Sequence, residues 1–102
     1  MSDDKARRWQ NYTVVSVPST ALGTALLSAA ERAALGAYAR AIVITPTYNI
    51  ALVDGTATGT YANSARKIPA NTTATLQYFG GPIIAIAEST TAVVSLDVGL
   101  VQ

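Results

Sequence analysis

Short hydrophobic runs recur along the chain at intervals of about ten residues and are separated by turn residues. Most runs are rich in β-branched residues, and several alternate with polar residues, as strands do when one face is buried. The pattern predicts strands at residues 13–17, 41–44, 48–53, 73–79, 83–87 and 92–100, and residues 56–63 as either a weak strand or a loop. Six or seven short strands predict an all-β fold, a small antiparallel β-sandwich or barrel.

Prolines and turn dipeptides divide these runs. Pro18 ends the first strand, because proline lacks a main-chain donor, and Pro69 excludes a central strand at its position. Residues 41–44 and 48–53 follow one another closely, and Asp54-Gly55 comes after them as a turn signal. The two runs are therefore predicted to pair as a hairpin.

One segment has a helical pattern instead. Ser28 and Glu31 have capping-box spacing, with the Ser28 hydroxyl placed to accept from an amide three residues on and Glu31 able to reach back. Good helix formers follow until Gly36. We expect one short helix near residues 28–36, so that Ser28 and Glu31 serve as helix caps rather than as a nucleophile and its base.

The first 12 residues are polar and charged and show no period. They predict an N-terminal arm at residues 1–12, followed by a single β-sandwich domain at residues 13–102. Such a segment is usually disordered. However, Trp9 and Tyr12 lie within it, and a lone tryptophan in a mobile tail lowers solubility unless its ring docks on a partner.

Charge is scarce in the remainder of the chain. Thirteen of 102 residues are charged, and five of the thirteen fall in the first eight positions. A free monomer normally keeps its surface charged, so this scarcity predicts that part of the surface is hidden in a homo-oligomer or against a partner. The alternative is a monomer whose surface is covered by its thirteen threonines.

The same composition argues against several partners. A net charge of +1 and the lack of a basic stripe argue against nucleic-acid binding. No apolar run approaches the length of a membrane span, and the N-terminus has no apolar signal segment. We therefore expect a chain made in the cytoplasm, with neither nucleic acid nor membrane as partner.

Reactive side chains are equally scarce. The chain has no histidine and no cysteine, so it lacks the usual group that titrates near neutrality and any thiolate. The acids beyond the arm are scattered singly, at Glu31, Asp54, Glu88 and Asp97. Asp54 and Glu88 fall in turns, where acids ordinarily bond the local backbone, and Asp97 is expected to point outward from a strand. The sequence predicts no enzyme, no cofactor and no metal site.

Five segments together resemble small virion proteins of tailed bacteriophages. These are Leu27–Glu31, Tyr38–Ile44, Leu52–Thr56, Ile68–Thr72 and Ile84–Ala92. The resemblance covers roughly residues 27–98 in strand order and turn chemistry, and it implies a compact β-sandwich that packs on a head, neck or tail. It carries over no functional residue, because such proteins act through surfaces.

From this resemblance and the low charge we expect a capsid decoration or cement protein located in the virion. Its predicted partners are itself, as a homotrimer or another homo-oligomer, and the major capsid protein or another virion protein. Arginine pairs with carboxylates and tryptophan buries a large area, a combination typical of anchors. The predicted anchor residues in the arm are Arg7, Arg8, Trp9 and Tyr12.

Two alternatives remain open. One is a neck or tail component of the virion. The other is a ligand-binding β-sandwich, such as a carbohydrate or host-receptor module, which would present a row of aromatic rings on one face. The candidate rings are Tyr48, Tyr61, Tyr78 and Phe79, although adjacent residues of a strand point to opposite faces, so Tyr78 and Phe79 cannot both join one row.

Overall fold

The computed structural model describes residues 8–35, 39–78 and 80–100, and gives the backbone alone for residues 8–12, 39–40 and 100. Within these ranges it contains eight strands and one helix. In chain order they are β1 (Arg8–Val17), β2 (Thr24–Ala25), α1 (Ala29–Leu35), β3 (Ala39–Pro46), β4 (Ile50–Val53), β5 (Lys67–Ile68), β6 (Ala74–Gln77), β7 (Ile84–Ala87) and β8 (Ala92–Leu100).

The strands form two four-stranded sheets in which every neighbouring pair is antiparallel. Sheet 1 has the order β1-β8-β3-β6 and contains the long strands, and sheet 2 has the order β2-β7-β4-β5 and contains strands of two to four residues. The predicted all-β class with one short helix is confirmed, and the arrangement is consistent with a β-sandwich. The strand count exceeds the predicted six or seven by the inclusion of the two-residue strands β2 and β5.

The hairpin predicted from residues 41–44 and 48–53 is wrong. These residues form β3 and β4, which belong to different sheets. Ile42 and Ile44 of β3 and Ile50 and Leu52 of β4 all enter the core, so the two strands face each other across it instead of pairing edge to edge. The connection at residues 47–49 passes from one sheet to the other, and the Thr47 amide donates to the Val93 carbonyl at the start of β8 (3.0 Å).

The first strand begins five residues before Thr13, the predicted start of the sandwich. The backbone of residues 8–12 pairs with the end of β8, from Arg8 opposite Leu100 to Asn11 opposite Asp97, and the register shifts between Asn11 and Thr13. These residues therefore belong to sheet 1 and not to an arm. Main-chain pairing does not require apolar side chains, so the polar sequence gave no sign of this strand. Residues 1–7 lie outside the described ranges.

The core lies between the sheets and is built from alternating positions. In β8, Val94, Leu96 and Val98 are almost fully buried, while Val93 and Ser95 between them are exposed. The other sheet contributes Ile50 and Leu52, and Val17, Leu26, Leu27 and Leu35 close the ends. No charged or polar side chain among the described residues is fully buried in this core.

The short helix begins as predicted. The Ser28 hydroxyl accepts from the Glu31 amide (3.1 Å), and the Glu31 carboxylate accepts from the Ser28 amide (2.8 Å), which is the reciprocal capping box. Leu35 is the residue that the helix buries. Both polar side chains thus act as caps, as the sequence predicted.

Candidate interaction surfaces

Among the residues whose side chains are described, those on the side of sheet 1 that faces away from the core carry almost no charge. We call this surface the outer face of sheet 1. Val14 is 65% exposed and Val93 is 42% exposed, and the only charged side chain described on the face belongs to Asp97. The remaining described members are small or uncharged: Ser16, Ala41, Val43, Thr45, Thr75, Gln77 and Ser95.

The strand register places these residues in rows across the sheet. Val14 lies opposite Ser95, and Ser95 lies opposite Thr45. The Thr45 hydroxyl continues this row by a 3.0 Å hydrogen bond to the hydroxyl of Thr73. The next row runs from Asp97 through Val43 to Thr75. Most described side chains on the outer face are small and carry methyl or hydroxyl groups, and Asp97 and Gln77 are the exceptions.

The corresponding side of sheet 2 is covered by the chain's own turns. Ala51 and Ile86 point away from the core yet are only 0% and 4% exposed. A methyl group built on Gly23 would lie 2.7 Å from Ile84 Cγ2 and 3.0 Å from Val53 Cγ2, so the backbone there is in close contact with these side chains. The central strands of sheet 2, β4 and β7, are therefore buried on both faces, whereas Ala25 and Lys67 on its edge strands are exposed.

The turn at residues 54–66 forms part of this cover and explains Asp54. The Asp54 carboxylate accepts hydrogen bonds from the Thr56 hydroxyl (2.7 Å) and the Thr56 amide (3.0 Å). These two bonds hold the pKa of Asp54 below its ordinary value of 3.8, although the carboxylate is exposed. The predicted backbone-bonding role of Asp54 is confirmed.

The same turn borders an open cleft of about 500 Å³. Its polar lining is largely engaged within the turn. The Ser64 hydroxyl donates to the Leu52 carbonyl (2.7 Å), and the Asn63 side-chain amide donates to the Thr58 carbonyl (3.1 Å). These bonds hold the turn over sheet 2, and the exposed side chain of Arg66 also lines the cleft.

The other acids are separated from one another. Glu88 accepts from the side-chain amide of Asn49 (3.0 Å) and so ties the β7–β8 turn to the β3–β4 connection. Asp97 lies half-exposed on the outer face of sheet 1, as predicted. Within the described ranges, no group of three or more acids, histidines or cysteines could hold a metal ion.

The candidate aromatic rings do not share a face. Tyr48 is half-exposed in the β3–β4 connection, whereas the Tyr61 ring lies under the Lys67 ammonium, 5.0 Å from it, in the turn that covers sheet 2. Tyr78 is buried at 7% exposure, and Phe79 lies outside the described residues. The three described rings therefore form no exposed row.

Tyr78 is unusual because its hydroxyl is buried without a hydrogen-bond partner. Burial raises the pKa of its phenol above the ordinary 10.0, and the positive charge of Arg32 opposes part of that rise. The Arg32 Nε is also buried without a partner. The sequence pointed to Tyr78 only as a candidate ring and did not point to Arg32, because the burial of these polar atoms is decided by tertiary packing.

The predicted anchor residues are only partly described. Arg7 lies outside the described residues, and for Arg8, Trp9 and Tyr12 the backbone is described as part of β1. The anchoring role of their side chains stays a prediction. Sequence reasoning missed the outer face of sheet 1 as a surface, although the alternation of β8 was a usable signal for it.

Among the described residues, no helix is long and apolar enough to cross a membrane. Comparisons with protein-family models, curated proteins and solved structures identified no match to this chain.

Proposed function

We propose that this chain is a non-enzymatic structural protein of a tailed-bacteriophage virion, a capsid decoration or cement protein that self-associates and clamps neighbouring capsid subunits. The observation that carries the proposal is the outer face of sheet 1. Its described side chains are nearly all uncharged, and two valines, Val14 and Val93, are exposed among small residues that carry methyl or hydroxyl groups.

The size of this face supports a docking role. Strands of ten, nine, eight and four residues, spaced about 4.8 Å apart with about 3.3 Å per residue, give a surface of roughly 500 Å². Val14 and Val93 supply its exposed large apolar side chains, and most of the remaining area is formed by small side chains that carry methyl or hydroxyl groups. A protein that adds buried area across the seam between two capsid subunits stabilises both without any chemical step.

The residues that might have supported chemistry have structural roles instead. Glu31 caps α1, Asp54 holds its own turn, and Glu88 joins two connections. These engagements favour a protein that works through surfaces.

A second candidate is the ligand-binding β-sandwich, which the open cleft beside residues 54–66 favours. The bonding of Ser64 and Asn63 within the turn argues against it, since a sugar site needs free polar groups beside an exposed ring. A glycan array on the purified chain tests this candidate, and specific glycan binding in the cleft would favour it over the cement protein.

The proposal is tested on particles of the phage that encodes the chain. We expect the chain in purified virions in many copies, and we expect recombinant chain to bind particles from which it has been stripped. Immuno-electron microscopy then locates it on the head or, for the alternative virion role, on the neck or tail. Absence of the chain from purified virions would rule out a virion role.

A pair of variants tests the surface itself. Val93→Asp places a charge on the outer face of sheet 1, and Leu22→Asp places the same charge on an apolar residue that is 51% exposed elsewhere. We expect Val93→Asp to weaken binding to stripped particles at least about tenfold, as truncating a hot spot does, and Leu22→Asp to bind like the unaltered chain. Equal binding by both variants would remove sheet 1 as the docking surface.

A further inference from the structure

The edges of the two sheets differ sharply in length and protection. Both edges of sheet 2 are two-residue strands, β2 and β5, and Lys67 and Pro69 lie in or beside β5. One edge of sheet 1 is β6, with four residues. Short edges, lysine and proline are the usual means of preventing a sheet from pairing with another chain. Three of the four edges are thus protected.

The fourth edge, β1, has none of these protections over its second half. The strand is ten residues long, and residues 13–17 read Thr-Val-Val-Ser-Val, with no charge and no proline. Its described strand partner is β8 alone, on one side. Within the described part of the chain, the main-chain hydrogen bonds outside the strand ladders involve no residue of β1.

A core residue is also left partly uncovered at this edge. Val15 points inward and packs against the core cluster, yet it stays partly exposed, whereas Val17 is fully buried. On the opposite side of the strand Val14 is 65% exposed. A second strand placed beside β1 would cover Val14 and Val15. It would also form hydrogen bonds with the main-chain amides and carbonyls on the open edge of β1.

We infer that the free edge of β1 pairs, antiparallel, with β1 of a second copy of this chain around a two-fold axis within residues 13–17. The inference deepens the proposed function, since it names the contact by which the protein self-associates. A second copy fits because the segment is uncharged, so that no like charges meet. Pairing ends at Pro18 on one side and at the register shift between Asn11 and Thr13 on the other.

The symmetry of this contact determines the shape of the dimer. A two-fold axis between antiparallel strands stands perpendicular to the sheet, so it keeps the two cores on one side and the two outer faces on the other. Sheet 1 of both copies then forms one continuous sheet of eight strands. The outer face, on which Asp97 is the one charged side chain described, doubles to roughly 1,000 Å², above the approximately 800 Å² per partner of a standard stable interface.

The decisive experiment compares two double variants of the full chain by light scattering over a range of concentrations. Val14→Lys with Ser16→Lys charges β1, and Val93→Lys with Ser95→Lys charges the same face one strand away. All four positions are exposed, so both variants keep the fold, which thermal unfolding checks. We expect a dimer for the unaltered chain and for the β8 variant, and at least about a hundredfold weaker dimerisation for the β1 variant, because like charges then meet across the axis.

The distances explain why the β8 variant is a matched control. In the proposed dimer the two β1 strands are about 4.8 Å apart, whereas the two β8 strands are about 14 Å apart, beyond the screening length of about 10 Å at 0.1 M salt. A dimer that stacks face to face would be weakened by both variants, and that result would overturn the inference. A monomeric full chain at all concentrations would also overturn it.

Cross-linking gives a second measurement that does not depend on added charge. The chain has no cysteine, so introduced cysteines are unambiguous. Self-pairing of residues 13–17 centres the axis on Val15 and places residue 14 opposite residue 16 of the second copy, so the double variant Val14→Cys with Ser16→Cys should form a disulfide-linked dimer on mild oxidation, and Val93→Cys with Ser95→Cys should not. Efficient linkage at residues 93 and 95 with none at 14 and 16 would contradict the edge contact.

Failure of this inference and failure of the proposed function are distinguishable. A chain that is monomeric but present in virions retains the structural role and loses the edge contact. A chain that dimerises through β1 but is missing from virions retains the edge contact and loses the virion role.

Discussion

The two sheets of this protein bury their strands differently. Sheet 2 is covered on both sides, by the core and by turns that include Gly23 and residues 54–66. Sheet 1 is covered by the core alone, and its outer face is left to solvent or to a partner. The scarcity of charge therefore has two separate origins. In sheet 2, turns of the same chain cover the side that faces away from the core, and in sheet 1 the exposed outer face is itself built mainly from uncharged residues.

The strand sequences record this difference. Residues 50–53 and 84–87 are continuous apolar runs, as expected for strands buried on both faces. β8 instead alternates Val94, Leu96 and Val98 with Val93, Ser95 and Asp97. The outer face of sheet 1 carries valine among serine and threonine, and the strands that bear it are packed on the core by residues such as Val94, Leu96 and Val98.

The largest expected effect separates the two faces of β8. Leu96 is 1% exposed and Val93 is 42% exposed in the same strand. We expect Leu96→Ala to lower the free energy of unfolding by about 3 kcal/mol, because it opens a cavity in the core. Val93→Ala should lower it by less than about 0.5 kcal/mol. Urea unfolding at one low protein concentration measures both, and equal losses would mean that the outer face is internally buried.

The next effect concerns the cover of sheet 2. Gly23 has a φ of 75°, and a methyl group there would lie 2.7 Å from Ile84 Cγ2 and 2.9 Å from the Ala85 carbonyl oxygen. Gly80 also has a positive φ, 92°, but nothing lies within 4 Å of the same position. We expect Gly23→Ala to cost about 3 kcal/mol, from strain and clash together, and Gly80→Ala about 1 kcal/mol, from strain alone.

The comparison of the two glycine variants is made by thermal unfolding. If Gly23→Ala lowers the free energy of unfolding no more than Gly80→Ala does, the backbone at Gly23 does not pack closely against sheet 2. The contrast between the two sheets would then lose its structural basis.

A smaller effect is expected at Tyr78, which follows β6 and belongs to the core cluster. Tyr78→Phe removes a buried hydroxyl that has no partner, so it should raise the free energy of unfolding by about 1 kcal/mol at neutral pH. The raised pKa of Tyr78 also has a consequence at high pH. The free energy of unfolding of the unaltered chain is independent of this group below the unfolded pKa of about 10. It falls as pH rises from there through the higher folded pKa, because the phenol ionises more readily in the unfolded chain.

The unfolding measurement is therefore repeated near pH 11, where the unaltered chain should lose more stability than Tyr78→Phe does. A Tyr78→Phe variant that is less stable than the unaltered chain at neutral pH would show that the hydroxyl makes a stabilising contact.

The smallest effect tests the turn that covers sheet 2. Thr56→Val removes the hydroxyl that donates to Asp54, so the pKa of Asp54 should rise toward 3.8. Because the folded pKa of Asp54 is depressed, its hydrogen bonds with Thr56 add to the free energy of unfolding above pH 3.8. This stabilisation is lost as pH falls through the folded pKa of Asp54. NMR titration of the Asp54 carboxyl measures this shift, and Thr72→Val, in a different turn, should leave it unchanged.

Prediction from the sequence succeeded where the decisive contacts are local. Ser28 and Glu31 are three residues apart, so their reciprocal caps could be predicted from spacing alone. The same holds for Asp54, whose partner is two residues away. The outward position of Asp97 followed from alternation within one strand.

It failed where contacts join distant parts of the chain. β3 and β4 are separated by only three residues yet belong to different sheets, because their apolar side chains meet across the core. β2 and β5 are too short to be recognised from their residues, and they are strands only because β7 and β4 lie beside them. Residues 8–12 are polar, and the end of β8 alone makes them part of a sheet.

The sequence by itself determined the all-β class, the helix and its caps, and the lack of histidine and cysteine, because each depends on composition or on residues close in the chain. Only the tertiary structure decided which strands pair, which sheet is covered twice and which edge is left open. Those features depend on long-range packing, in which a strand's partner is fixed by the fit of its apolar face against the rest of the core.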